Sequence, residues 1–264
     1  MACEHKAATV AAVSSWAVVT GASGGLGEAY ARELGRQGSD VVLVARSVDK
    51  LEHLATALTA EHGVETMVLP CNLSDPSERA ALVQRLDTLE VHTLVNNAGF
   101  GTLGALGGLE RSRISSEVQL NVVALTELTH AVVPAMVARG RGAIINVAST
   151  AAFQPIPQMA TYAAGKSYVL SFTSALWGEL EGTGVRAVCI CPGPTDTSFF
   201  HNAGNGDVMK RRRRPDQVVA STFAALRAGK PYVVDGPANK VMAQMAWFVP
   251  TNLLVRAATW VATH

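Results

Sequence analysis

Tyr162, Lys166 and Ser149 have the chemical types and the spacing that proton transfer requires. Lys166 follows Tyr162 by four positions, so on a helix the two side chains share one face about one turn apart. A free tyrosine has a pKa of about 10, and a neighbouring ammonium lowers it by favouring the phenolate. We therefore expect a lowered Tyr162 pKa. The phenol would exchange a proton with a carbonyl or alcohol oxygen that the Ser149 hydroxyl also holds.

A glycine-rich stretch follows the first predicted strand and opens a predicted helix. Residues 20–27 read TGASGGLG, with the spacing G-x-x-x-G-x-G. Without a Cβ the chain can turn tightly and approach a pyrophosphate, and the helix N-terminus offers free N–H groups to it. A simple tight turn is the alternative, which the strand-to-helix position disfavours. The predicted cofactor-binding residues here are Gly21, Ser23, Gly24, Gly25, Leu26 and Gly27.

The end of the second predicted strand indicates which nucleotide would bind. Sites that prefer NAD place Asp or Glu there to accept hydrogen bonds from the ribose 2′-hydroxyl. This strand runs instead into Ala45, Arg46 and Ser47, without an acid. A carboxylate would repel a 2′-phosphate, whereas arginine can bind one. The pattern predicts NADP(H), with Arg46 as a ligand, and a solvated surface arginine is the alternative.

Short apolar runs alternate with helical stretches along the chain. Strands are predicted at 17–20, 41–45, 66–70, 93–95, 143–148, 186–190 and 232–234. Helices are predicted at 25–38, 48–62, 77–87, 110–139, 160–181 and 215–229. Most strands are apolar throughout, which is typical of a parallel sheet buried on both faces. We predict an α/β fold over residues 1–264, a single doubly wound Rossmann-type domain with a mainly parallel sheet flanked by helices.

The glycine loop, the sequence NNAG at 96–99, Ser149 and the Tyr-x-x-x-Lys pair occur in a specific order. From about Trp16 to Thr197 the chain resembles the short-chain dehydrogenase/reductase family in its short form. By that resemblance Ser149, Tyr162 and Lys166 are the catalytic triad. Asn121 matches the asparagine that anchors a water to the lysine and completes a proton relay.

The resemblance also implies further cofactor contacts. In the sequence PGPTDT, Thr195 and Thr197 are candidates for the nicotinamide carboxamide and a phosphate. Where the family often has Asp at the adenine, this chain has Asn72, which can both accept and donate. The remaining expected cofactor-binding residues are Leu73, Asn97, Ala98, Gly99, Tyr162, Lys166, Pro192 and Gly193.

The composition limits the class of protein. Hydrophobic residues make up 48% of the 264, charged residues 16%, and the formal net charge is +1. This composition allows a sizeable core and argues against a nucleic-acid binder, which needs a large basic excess. The four cysteines and seven histidines lack metal-ligand spacing, so we expect reduced thiols and no metal. Without the features of a secretory signal, a cytoplasmic location is expected.

Two segments near the end of the chain leave alternatives open. The basic run at 210–214 lies in the variable segment 195–215, where the family places its substrate lid. It is either a solvated turn or a docking patch for a phosphate-bearing substrate such as an acyl-CoA or acyl-carrier-protein thioester. The apolar segment 241–263 is interrupted by polar residues and falls short of the roughly 20 apolar residues of a spanning helix. Core packing, dimer formation and peripheral membrane contact all remain open for it.

These features predict an NADPH-dependent reductase of a lipophilic ketone or aldehyde, such as a 3-oxoacyl, steroid or aromatic ketone. The apolar character follows from Phe153, Met159, Phe199 and Phe200 around the expected substrate site. Oxidation of a secondary alcohol or hydroxysteroid with NAD(P), and an NADPH-binding sensor without catalysis, are the alternatives. The resemblance implies a homodimer or homotetramer, paired through helices 110–139 and 160–181.

Overall fold

The computed structural model describes residues 15–197, 212–245 and 248–263. Seven parallel strands form one sheet in the order β3-β2-β1-β4-β5-β6-β7. The strands are β1 Ser15–Thr20, β2 Asp40–Ala45, β3 Thr66–Pro70, β4 Glu90–Asn96, β5 Gly142–Val147, β6 Val185–Cys191 and β7 Tyr232–Val234. Each of the seven predicted strands is found, and the predicted parallel Rossmann-type sheet is confirmed.

Helices connect the strands and cover both faces of the sheet. They are α1 Gly25–Arg36, α2 Val48–His62, α3 Pro76–Leu86, α4 Arg111–Val118, α5 Leu125–Arg139, α6 Ala160–Glu179, α7 Pro215–Arg227, α8 Pro237–Met245 and α9 Thr251–Thr263. Short 3₁₀ turns lie at Leu106–Gly108 and Thr150–Phe153. The predicted helix over 110–139 is confirmed as one continuous helical stretch, Arg111–Arg139, in which a π-helical segment at Gln119–Ala124 lies between α4 and α5.

The apolar strands divide their side chains between two cores. In β2, Val41 and Leu43 belong to the core that α1 and α7 cover, whereas Val42 and Val44 belong to the core on the other face. Successive side chains of a strand point to opposite faces, so a strand buried on both faces has to be apolar at every position. This explains the continuous apolar runs of the sequence.

The strand order sets the place of the site. β1 lies between β2 and β4. The chain first adds β2 and β3 on one side of β1, and then crosses over to add β4 to β7 on the other side. In an open α/β sheet, ligands bind in the crevice beyond the carboxyl ends of the strands at this switch point. The loops that follow β1, β4, β5 and β6 all leave the sheet at that edge, and they carry the predicted motifs.

The helical stretch Arg111–Arg139 is long and apolar enough, by length and composition, to span a membrane, and 39% of its most apolar window is buried inside the protein. Its α5 portion packs against β4 and β5, with Leu128, Val132 and Met136 in the core. This packing accounts for part of its apolar character.

Candidate functional site

Hydrogen bonds join the glycine loop to the NNAG turn at the ends of β1 and β4. The buried Thr20 hydroxyl accepts from the backbone N–H groups of Asn97 and Ala98, each at 3.0 Å, and donates to the Val95 carbonyl at 3.2 Å. The Asn97 amide nitrogen donates to the Thr20 carbonyl at 2.9 Å. The two predicted cofactor-binding turns therefore form one rigid unit. Thr20 is the residue that sequence reasoning missed here, although the motif contained it.

The conformations of the loop glycines fit a phosphate-binding turn. Gly21 and Gly25 have φ values of +69° and +58°, which side chains disfavour. Helix α1 begins directly after Gly24, and no side chain caps its first turn. A Cβ on Gly24 would meet no atom within 4 Å, so the space in front of the helix end is open. The uncapped N–H groups and the positive end of the helix dipole face this space, which suits a pyrophosphate.

Arg46 is exposed, directly after β2. An open cavity of about 370 Å³ lies between the starts of α1 and α2, and Arg46 is not one of its lining residues. Its lining includes Ser23 of the glycine loop together with the cations Lys50 and Arg32, and it also contains Glu28, Asp49 and His53. Lys50 is a candidate phosphate ligand that sequence reasoning did not consider.

Asn72, the predicted adenine contact, forms hydrogen bonds with residues close to it in the sequence. Its side-chain oxygen accepts from the Ser74 N–H at 3.3 Å, and its own N–H donates to Glu78 at 2.6 Å. The side chain of Leu73 is buried in the core, and its carbonyl accepts from Arg79 at 2.8 Å. Leu73 could therefore contact a ligand through its backbone only.

The proton-transfer residues come together beyond β5 and on α6. Ser149 leads the 3₁₀ turn Thr150–Phe153, where its Oγ accepts from the Ala151 N–H at 3.1 Å. Its hydroxyl also hydrogen-bonds with that of Tyr162. The Lys166 Nζ donates to the Val147 carbonyl at 2.8 Å and lies 5.6 Å from the centre of the Tyr162 ring. Tyr162 and Lys166, which follow Ser149 by 13 and 17 positions, thus lie in one site with it, as their spacing on the helix predicts.

The expected lowering of the Tyr162 pKa is wrong for this structure. Burial raises the Tyr162 pKa to about 12, although the hydrogen bond with Ser149 opposes the rise. Burial also lowers the Lys166 pKa to about 8. The physical reason is that both groups are buried, and removal from water disfavours the phenolate as well as the ammonium. For Tyr162 the hydrogen bond with Ser149 does not overcome that cost, and the charge of Glu117 adds to it.

Asn121 lies in the π-helical segment and holds the loop beyond β4. Its side-chain oxygen accepts from the Phe100 N–H at 3.2 Å, and its amide nitrogen donates to the Phe100 carbonyl at 2.8 Å. Single π turns in helices often mark functional sites. A Cβ on Gly99 would lie 2.9 Å from the Asn121 oxygen and 3.5 Å from Lys166 Nζ, so these three residues are close neighbours.

The loop beyond β6 closes the other side of the crevice. The Thr150 N–H donates to the Pro192 carbonyl at 2.8 Å, and the buried Thr195 hydroxyl donates to the Gly193 carbonyl at 3.0 Å. A Cβ on Gly25 would meet Thr197 at 3.0 Å. The loop therefore touches both the glycine loop and the Ser149 turn. The structure brings all four motif loops to one crevice.

The described arginines of the basic run form ion pairs and hydrogen bonds with other residues of the chain. Arg213 forms two hydrogen bonds with the buried Asp235, at 2.8 and 3.0 Å, and Arg214 pairs with Asp216 at 2.8 Å. Arg213 also exchanges backbone hydrogen bonds with Pro194 and Asp196. Residues 198–211 of the predicted lid, with Lys210 and Arg211, lie outside the described residues. A solvated turn does not describe Arg213, which anchors the end of this segment.

Comparisons with known proteins agree with the fold and the motifs. The family profile described as short chain dehydrogenase matches residues 15–207. A very-long-chain 3-oxoacyl-CoA reductase of Anas platyrhynchos is 34% identical over 71% of this chain and 62% of its own length. The chain spans 54% to 62% of the length of the first three curated relatives that it matches.

Solved structures resemble the chain over more of its length. A short-chain dehydrogenase from Sphingobium yanoikuyae in complex with NADPH is 32% identical, with a TM-score of 0.80 over 83% of this chain and 87% of its own. A 7beta-hydroxysteroid dehydrogenase is 28% identical, with a TM-score of 0.85 over 93% of this chain and 96% of its own. With the family profile matching most of its length on this fold, the chain belongs to the short-chain dehydrogenase/reductase family of oxidoreductases.

Proposed function

We propose that this chain is an NADPH-dependent reductase that converts a lipophilic ketone or aldehyde into the alcohol. The observation that carries the proposal is the convergence of Ser149, Tyr162 and Lys166 beside the glycine loop at the switch point of the sheet. Oxidation of a secondary alcohol at the same site is the second candidate, because the same residues can run the proton transfer in reverse.

NADP(H) is the cofactor that fits the residues present. The uncapped start of α1 and the glycine loop would hold the pyrophosphate, and Arg46 with Lys50 would neutralise the 2′-phosphate. Several solved relatives are complexes with NADPH or a modified NADP. NADPH would supply the hydride when bound. The Asn97–Gly99 turn and the Pro192–Thr197 loop are the proposed ligands on the nicotinamide side.

Tyr162 is the proposed proton donor. With a pKa near 12 the phenol is protonated at neutral pH, so it can give a proton to a carbonyl oxygen. The Ser149 hydroxyl, hydrogen-bonded to that phenol, would orient the same oxygen. Lys166 and Asn121, which follow from the family resemblance, would return a proton to Tyr162. A protonated phenol in the resting site favours the reductive direction over the oxidative one.

A lipophilic substrate is supported by the lining beyond Ser149. Phe153 is half-buried, with its ring 6.2 Å from that of Tyr232, and Met159 begins α6 just before Tyr162. Among similar proteins are a very-long-chain 3-oxoacyl-CoA reductase and an alcohol dehydrogenase from Comamonas testosteroni described as specific for bulky-bulky ketones. We therefore propose 3-oxoacyl thioesters, steroid ketones and bulky aryl ketones as the substrate panel.

Replacement of one phenol tests the mechanism. Tyr162→Phe removes the proton donor, and NADPH-dependent turnover should fall by about 10² to 10⁴ while NADPH affinity, measured by fluorescence titration, stays the same. Tyr168→Phe is the matched control, because Tyr168 lies on the same helix but points away to Thr126. It should keep the full rate. A Tyr162→Phe variant that retained most of its turnover would contradict the proposal.

Further proposals concern the domain, the location and the assembly of the chain. We propose one NADP(H)-binding domain over 1–264, with a lid at about 195–215, and a cytoplasmic protein. Half-exposed Val118 and Val137 on the predicted pairing helices support a homodimer or homotetramer. Replacing both with glutamate should reduce the mass measured by light scattering.

Peripheral membrane contact is proposed for the C-terminal segment. Phe248 is 86% exposed between α8 and α9, and Met242, Met245 and Leu253 are also exposed. In a vesicle flotation assay, Phe248→Ser combined with Met245→Ser should reduce binding. Equal flotation of the variant and the unmodified chain would argue against this contact.

A further inference from the structure

Two buried side chains of opposite charge have no ion-pair partner at contact distance within the described ranges. Among the described residues, the buried charged side chains are Arg79, Glu117, Lys166 and Asp235. Arg79 pairs with Glu127, and Asp235 pairs with Arg213. This leaves Glu117 and Lys166, for which the described part of the chain provides no ion pair at contact distance. A buried charge is costly unless something compensates it, so the environment of these two groups needs an explanation.

Glu117 lies at the edge of the proposed proton-transfer site. It is on α4, four residues before Asn121, and only 1% of it is exposed. Both of its carboxylate oxygens, and the hydroxyl of Thr102, lack a hydrogen-bond partner of good geometry within the described ranges. Thr102 faces the carboxylate with its hydroxyl and its N–H, outside that geometry. Such an unsatisfied buried carboxylate is unusual in a folded protein.

The charges that face Glu117 come from two helices. Arg113 lies one turn earlier on α4 and is exposed, with its guanidinium 4.1 Å from the centre of the Phe100 ring. From α6, which packs against α4, Lys166 lies within electrostatic range of the carboxylate. Burial raises the pKa of Glu117, and both cations oppose that rise.

The influence is mutual, because Glu117 acts on both members of the proton-transfer pair. Its negative charge raises the pKa of Lys166 and that of Tyr162. The thiols of Cys189 and Cys191 on β6 are the other groups that act on Lys166. Of these groups, only Glu117 is a carboxylate, and it acts on the lysine and the phenol together.

We propose that Glu117 is a positioning residue, a buried carboxylate whose charge holds Lys166 as the ammonium and Tyr162 as the phenol. In this role it never touches the substrate. It compensates the buried lysine, and its charge adds to the burial that keeps a proton on Tyr162. The proposal rests on the function proposed above.

The pH dependence of the rate tests this role. In Glu117→Gln the carboxylate charge is lost while the shape is kept, so the pKa values of Lys166 and Tyr162 should both fall. The alkaline limb of the reductive pH–rate profile, where Lys166 with its pKa of about 8 loses its proton, should then move to lower pH by roughly half a unit or more. Glu117→Asp, which retains the charge, should restore much of the original profile. Glu110→Gln, which removes an exposed carboxylate at the start of α4, should leave it unchanged.

A second experiment needs no turnover, so it separates this proposal from the proposed function. Unfolding free energies at pH 7 are measured for Glu117→Gln, Lys166→Met and the double variant. If the two charges compensate each other, the double variant is more stable than the sum of the single changes predicts. In the same experiment with Glu110→Gln in place of Glu117→Gln, the changes in unfolding free energy should be additive. Additivity for Glu117→Gln as well, or an unshifted pH profile, would mean that Glu117 stays protonated and would overturn the proposal. Loss of activity in every substrate assay, with the coupling intact, would count against the proposed function alone.

Discussion

A Cβ on Gly27 would lie 2.1 Å from the carbonyl oxygen of Gly21 and 2.7 Å from the Asn97 amide nitrogen. Helix α1 therefore passes so close to the preceding turn that no side chain fits at this position. The obstacle is backbone that Val44 and Thr20 hold in place through hydrogen bonds. Gly27, the last glycine of the loop, is required by packing, independently of any ligand.

The first prediction concerns this contact. Gly27→Ala forces the turn and the helix apart, and we expect a loss of stability of roughly 1–3 kcal/mol together with weaker NADPH binding. Thermal unfolding and a fluorescence titration measure the two effects. Gly24→Ala is the control for stability, because a Cβ there meets nothing within 4 Å. Equal melting temperatures for the two variants would contradict this interpretation of the glycine loop.

The second prediction concerns the choice of nucleotide. Arg46→Asp replaces an exposed cation after β2 with a carboxylate that repels a 2′-phosphate. A charged hydrogen bond contributes about 1.5–3 kcal/mol, so NADPH affinity should fall by roughly 10- to 100-fold while NADH affinity is kept or improved. Arg111→Asp, an equal charge change at an exposed site on α4, should have no such effect. If the unmodified chain binds NADH more tightly than NADPH, the NADP(H) assignment is wrong.

The third prediction concerns the buried carboxylate at the end of β7. Asp235 has no exposed side-chain surface, and Arg213 and Ser221 are its side-chain hydrogen-bond partners among the described residues. Arg213→Met leaves that charge uncompensated and should lower the unfolding free energy by roughly 3 kcal/mol, measured by chemical denaturation. Arg214→Met removes an exposed arginine from the same run and should change little. Adding Asp235→Asn to Arg213→Met should recover part of the loss.

The fourth prediction follows from the burial of Lys166. With its pKa lowered to about 8 in the folded protein and an ordinary value near 10.5 in the unfolded chain, the folded state binds the proton less tightly. The group therefore costs stability below pH 8, and that cost disappears as the pH rises from 8 to 10.5. Lys166→Met should lose activity but gain roughly 1–3 kcal/mol of stability at pH 7, because burial of the ammonium costs more than the charge of Glu117 offsets. The gain, measured as the difference in unfolding free energy from the unmodified chain, should shrink between pH 7 and pH 9.5. A gain that was constant with pH would contradict the lowered pKa.

Much of this protein is determined by local sequence. The continuous apolar runs predict all seven strands, because a strand buried on both faces must be apolar at every position. The glycine loop, the NNAG turn and the Tyr-x-x-x-Lys pair depend on backbone freedom and helix periodicity, which are properties of a few neighbouring residues. Their alternation along the chain predicts the parallel sheet, and the sheet then brings the loops to one edge.

Other properties were decided only by the tertiary structure. The sign of the Tyr162 pKa shift depends on how deeply α6 is buried, and burial there outweighs the hydrogen bond with Ser149. Arg213 looks like a member of a solvated basic run until β7 brings Asp235 beside it, 22 positions later. From the sequence, Glu117 is an ordinary carboxylate on a helix, and only the packing of α4 against α6 buries it. In each case the deciding term is the cost of removing a charge from water, which depends on contacts between residues that are distant in the sequence.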